Sequence, residues 1–101
     1  CYPPFCHLIY VFLKHRDDAV VASASMRLGD ILRGWFGSRV LGPDKPSVSK
    51  VKTLNIRKIM LKLENGIDLA KVRLYLNRSK NLVLKDDKYK SVSIYFDVDP
   101  L

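Results

Sequence analysis

The chain has 101 residues, eighteen of them Lys or Arg against ten Asp or Glu, which leaves a formal net charge of +8. Hydrophobic residues make up 48% and charged residues 28%, a mixture that suits one packed domain and excludes a wholly disordered tail or a collagen-like repeat. The longest apolar run, Leu8 to Leu13, is far short of the ~20 residues a membrane-spanning helix requires. No charged n-region precedes an apolar stretch at the start, so no signal peptide is visible. A first residue of Cys rather than Met reads as a fragment of a longer protein, and two cysteines, Cys1 and Cys6, are too few for a disulfide framework, so a reducing, cytoplasmic compartment is expected. The positive charge is concentrated. Arg39, Lys45, Lys50, Lys52, Arg57, Lys58 and Lys62 are opposed over their span only by Asp44, and such an excess favours polyanionic partners.

In chain order, Phe5 to Lys14 is rich in β-branched and aromatic residues and apolar on both alternating faces, the pattern of a central strand. Asp17 and Asp18 supply helix-capping chemistry. Val21, Ala24, Leu28, Ile31, Leu32 and Trp35 then recur at three- and four-residue spacing, which predicts a helix from Asp18 to Phe36 with Gly37 as its stop. Val40 to Pro43 reads as a short strand broken by a turn, and Lys45 to Asn55 as a long, partly mobile hairpin arm. Ile56 to Leu63 alternates, with Arg57, Ile59, Leu61 and Leu63 on one side and Ile56, Lys58, Met60 and Lys62 on the other. Glu64-Asn-Gly66 is a turn signal. Asp68 caps a second helix whose buried stripe is Leu69, Val72, Tyr75 and Leu76, ended at Asp86-Asp87. Ser91 to Val98 sends Val92, Ile94, Phe96 and Val98 inward and Ser93, Tyr95 and Asp97 outward.

The order β-α-β-β-α-β predicts an α+β fold: a split β-α-β, ferredoxin-like sandwich with two helices on one face of a four-stranded, mainly antiparallel sheet. Its second face is left open, lined by Lys58, Met60, Lys62, Ser93, Tyr95 and one side of the first strand. If that side carries Tyr10 and Phe12, aromatic and basic groups mix there, one way of holding single-stranded nucleic acid. The competing occupant is the rest of a longer parent chain.

Catalysis finds no support in the sequence. No G-x-x-x-x-G-K-[ST] loop occurs, and the five glycines are scattered, so no nucleotide-phosphate cradle is encoded. Cys1, Cys6, His7 and His15 could be imagined as a zinc site, but strand alternation points Cys6 and His7 to opposite faces. His15 would lie roughly 26 Å beyond His7 at ~3.3 Å per residue. The same alternation disposes of a Cys6–His7 dyad.

Tyr2-Pro-Pro-Phe5, Val40-Leu-Gly-Pro43 and Tyr95-Phe-Asp-Val-Asp-Pro100, in that order and spacing, resemble the C-terminal domain of the PriA family, the primosomal protein N′ helicases of bacterial replication restart. The resemblance spans nearly the whole chain. It implies an intact protein that is an ATP-dependent 3′→5′ DNA helicase, with its motor lobes and a cysteine-rich zinc region elsewhere. ATP, Mg and Zn are therefore expected only in the intact protein, with no cofactor and no catalytic site in this chain. The resemblance also implies a domain that assists DNA binding at forks, packs on the motor lobes of the same chain and helps bind the acidic tail of single-stranded DNA-binding protein. The family's arm before the third strand is basic and tryptophan-rich. Here the matching Lys50 to Lys58 stretch keeps the charge and lacks the tryptophans, which leaves phosphate contact rather than base stacking. The positions matched to tail docking are Lys71 and Tyr75, with Arg73 as a second cation.

The expected function is thus that of a non-catalytic, monomeric DNA-binding and docking domain. Lys45, Lys50, Lys52, Arg57, Lys58 and Lys62 would contact forked or single-stranded DNA, while Lys71, Arg73 and Tyr75 would contact a protein tail, with no membrane partner. The alternatives are an RNA-binding ribosomal-type domain and a stand-alone protein-interaction module.

Overall fold

The computed structural model describes residues 6–46, 50–51, 53–64 and 66–98. The Tyr2 to Phe5 motif, the Asp99-Pro100 end of the closing motif and Lys52 lie outside the described residues, as does the middle of the arm, residues 47–49.

Strand β1 runs Cys6–His15. Helix α1 spans Asp18–Phe36, and the Asp17 carboxylate accepts from the Ala19 amide at 2.9 Å, so the capping chemistry legible in the sequence is the one used. A short 3₁₀ turn, Gly37–Arg39, leads into β2, Val40–Asp44. The two-residue β3, Lys50–Val51, precedes β4, Leu54–Glu64. Asp68 caps helix α2, Leu69–Leu84, through the Ala70 amide, and β5 is Ser93–Val98.

The sheet order is β2-β4-β1-β5, with β3 paired to β4. Every strand pair among the described residues is antiparallel. Strand β4 therefore sits between β1 and β2, the split β-α-β arrangement that the order of elements predicts. Ile9, Val11 and Leu13 of β1, Ile59, Leu61 and Leu63 of β4, and Ile94 of β5 are buried with Val21, Leu28, Leu32, Val72, Leu76 and Val83 of the helices. Alternation makes the opposite set, Tyr10, Phe12 and Lys14 with Lys58, Met60, Lys62 and Tyr95, the open face.

Two expectations are corrected in detail. Trp35 is not in the buried stripe: it is 45% exposed, and Phe36 is buried in its place. A three-residue step from Leu32 reaches Trp35 and a four-residue step reaches Phe36, so periodicity admits both. Helix α2 decides between them, because Tyr75 packs edge-on to Phe36 at 6.1 Å and flat against Trp35 at 4.5 Å. Second, Val40 to Pro43 is one strand with a register shift between Leu41 and Asp44, a bulge rather than a turn. Gly42 makes the bulge possible, with φ +98 and a site where a Cβ would stand 3.0 Å from the Lys58 carbonyl oxygen. Gly42→Ala should cost about 1–2 kcal/mol from the left-handed backbone alone, read as a Tm lowered by several degrees.

Candidate nucleic-acid interface

The open face is assembled from three strands whose register is explicit. Phe12 lies opposite Lys58 on one side and Tyr95 on the other, while Tyr10 lies opposite Met60 and Asp97. Lys14 lies opposite Ile56 and Ser93, and Lys62 opposite Leu8. The Phe12 and Tyr95 rings stack at 5.2 Å with 22° between planes. Tyr10 meets Phe12 edge-on at 6.0 Å. The Lys58 ammonium stands over the Tyr10 ring at 4.6 Å, and the Lys14 ammonium over the Tyr95 ring at 5.1 Å. Each tyrosine thus carries one ammonium on a ring face, an attraction to the π quadrupole.

The cations near this face divide into two sets. Arg39 is neutralised by Glu64 at 3.1 Å, and Arg57 by Asp18 at 2.7 Å. Among the described residues, Lys14, Lys45, Lys58 and Lys62 form no ion pair with a carboxylate. Lys58 and Lys62 are therefore brought to one face with Lys14. Lys45 is exposed just beyond β2, and Lys50 enters β3 opposite Asn55.

Arg57 departs from the sequence-based grouping. It is 8% exposed on the helix side of the sheet, donating to the Asp18 carboxylate and, at 3.1 Å, to the Ile56 carbonyl. The cause is alternation: Arg57 shares its side of β4 with Ile59 and Leu61, where α1 covers it. Its charge anchors the start of α1 instead of meeting solvent.

Glu64 is exposed, and the hydrogen bond from the Arg39 side chain is the first cause holding its carboxyl below the ordinary 4.5. A lowered carboxylate pKa stabilises the fold above the unfolded value, and the contribution is lost as pH falls through the folded one. The Tm difference between the chain and Glu64→Gln should therefore be present at neutral pH and close as the pH drops below 4.5. A difference that persisted at low pH would contradict this.

On the helix side, Lys71 and Tyr75 are one turn apart on α2 and share a side. Arg73 is two residues from each and points away from it. The residue that extends their stripe is Arg78, which lines a groove of about 290 Å³ with Trp35, Asn81, Leu82 and Lys85. The sequence offered a signal for this in the basic α2, which has no acidic residue between Leu69 and Leu84, but not the adjacency of Trp35.

One arrangement resembles a catalytic pair and is not one. His15 Nε2 is 2.8 Å from Ser91 Oγ, but its Nδ1 accepts from the Asp17 amide at 2.9 Å. That bond leaves the proton of a neutral ring on Nε2, which donates to Ser91 and cannot receive the hydroxyl proton. Together with Asn55, which donates to the carbonyls of His15 and Arg16, it ties down the β1–α1 corner. Among the described residues no three His, Cys, Asp or Glu side chains gather as metal ligands would. No described helix is long and apolar enough to cross a membrane.

The fold is thus an α+β sandwich that covers one sheet face with helices and leaves an aromatic, cationic face open. The family model of the primosomal protein N C-terminal domain matches residues 1–101, and the chain belongs to that family. No curated protein matches it. Among solved structures it is similar to the de novo designed protein Foldit4, with a TM-score of 0.66 and 8% identity over 95% of this chain and 98% of that one. At that identity the likeness concerns the fold alone.

Proposed function

We propose that this chain is a non-catalytic domain of a replication-restart helicase of the primosomal protein N family, contributing DNA binding and partner docking. The observation that carries the first role is the set of lysines without carboxylate partners among the described residues, Lys14, Lys58 and Lys62, on one open face. In the sequence of the arm, Lys45, Lys50 and Lys52 add further positive charge. Phosphates neutralised by these groups release counterions, so binding falls as salt rises. Four contacts correspond to a slope of log affinity against log salt of about −3 to −4. Anisotropy of a labelled DNA fork, titrated from low to moderate salt, measures it. A flat response overturns the reading, and so does an RNA fork of equal charge held more tightly than DNA, which is the outcome for a ribosomal-type RNA-binding domain.

The docking role rests on Lys71 and Tyr75, with Arg78 continuing their side of α2 toward Trp35. The partner is the acidic, hydrophobic-ended tail of single-stranded DNA-binding protein. Its carboxylates would meet Lys71 and Arg78, and its apolar end would lie against Trp35 and Leu82. Trp35 is the only tryptophan, so its emission reports this contact alone. Titrating a tail peptide should shift Trp35 fluorescence and the amide resonances around Tyr75, and Arg78→Glu should abolish both changes. Amide shifts confined to other elements would remove the docking role.

A further inference from the structure

The structure leads us to infer that the open sheet face takes unpaired bases by stacking, with Phe12, Tyr95 and Tyr10 as the platform and Lys14 and Lys58 as cations that exchange a ring for a phosphate. The inference rests on the DNA-binding reading above and deepens it, because phosphate contact alone does not distinguish a single strand from a duplex.

Tyr10 and Phe12 are half-buried and Tyr95 is exposed, all on the sheet face away from the helices. Residues of the opposite parity already fill the core, with Ile9, Val11 and Leu13 fully buried. The fold therefore needs nothing from Tyr10 or Phe12 on the other side of β1. Tyr95 is 42% exposed on β5, yet it is stacked in register against Phe12. The result is a contiguous aromatic patch across two strands, with cations from β1 and β4 set into it.

Those cations discriminate between occupants. An apolar protein surface seated here would have to bury the ammoniums of Lys14 and Lys58, and interface cores are depleted in lysine for that reason. A single-stranded nucleic acid has no such conflict. Its bases present π faces to the rings, and its backbone presents a phosphate within reach of each displaced ammonium. In the free chain the ammoniums lie over Tyr10 and Tyr95. On binding, a base takes that place and the flexible lysine stem swings outward, so no charge is stranded. Asp97 lies opposite Tyr10 and repels phosphate at that corner. The backbone therefore runs on the β4 side, along Lys58 and Lys62, while two or three bases reach across to β1 and β5. A duplex keeps its bases stacked on one another and cannot use the platform.

The test compares three labelled DNA probes of equal length with the 101-residue chain: a single strand, the same strand with abasic sites, and a duplex. The single strand should bind at least ten-fold more tightly than the abasic strand, since each lost base–ring stack weakens binding by about that factor. Phe12→Leu with Tyr95→Leu should lower single-strand affinity by a similar factor and leave abasic-strand affinity and the salt slope unchanged. Should that variant fail to fold, the unmodified chain gives a second readout, ring-current shifts of the Phe12, Tyr10 and Tyr95 aromatic resonances on adding the single strand. Equal affinity for normal and abasic strands overturns the inference while leaving the DNA-binding function intact. Loss of all DNA binding in low salt overturns that function itself.

Discussion

Lys58→Glu with Lys62→Glu should weaken fork binding by on the order of 10- to 100-fold in low salt and flatten the salt slope by about 2, one for each phosphate no longer neutralised. The two lysines face away from the helices, with no carboxylate partner among the described residues. Their replacement removes no contact from the core; the loss is confined to the Lys58–Tyr10 cation–π contact and a new carboxylate opposite Asp44, so the Tm should fall by about ten degrees or less with folding retained. Circular dichroism melts beside the anisotropy titrations check both halves of the expectation. An unchanged slope would mean that DNA, if it binds, binds elsewhere.

Arg57→Glu should behave in the opposite manner. It places a carboxylate where a guanidinium now donates to Asp18 and to the Ile56 carbonyl, in a side-chain position only 9% exposed. A like-charged pair replaces an ion pair, and one member cannot reach water. The cost should be about 3 kcal/mol or more, a large share of the 5–15 kcal/mol typical of a domain. Thermal melts should show a Tm lowered by more than ten degrees, and Arg57→Met, which keeps an unbranched apolar stem and drops the charge, should recover part of the loss. A charge reversal spread over Lys50, Lys52, Arg57 and Lys58 together would thus mix a loss of fold stability with any loss of binding. Arg57 belongs outside any such set.

The two arginines that sit beside the lysines in sequence explain why their roles were not separable there. Arg57 and Lys58 are adjacent and equally basic, and only the side of β4 that α1 covers tells them apart. Arg39 lies in the same basic span, but its partner Glu64 is 25 residues away, brought close by the pairing of the sheet around it. The helix caps needed no such long-range information. Asp17 and Asp68 act on amides two residues away, so their effect is local and visible in the chain itself. The alternation of Ile59, Leu61 and Leu63 against Lys58, Met60 and Lys62 was equally legible, because the pleat gives a strand only two sides.

What the amino-acid order determined alone is therefore whatever has a short period or a short reach: the element order, both caps, the two faces of each long strand and the excess of positive charge. The tertiary structure decided which cations remain available, that Trp35 and not Phe36 stays in solvent over Tyr75, and that Phe12 and Tyr95, 83 positions apart in the sequence, share one stack. The physical reason is that neutralisation and stacking act over a few ångströms between residues whose proximity depends on strand pairing, and no local periodicity encodes which distant residue will arrive.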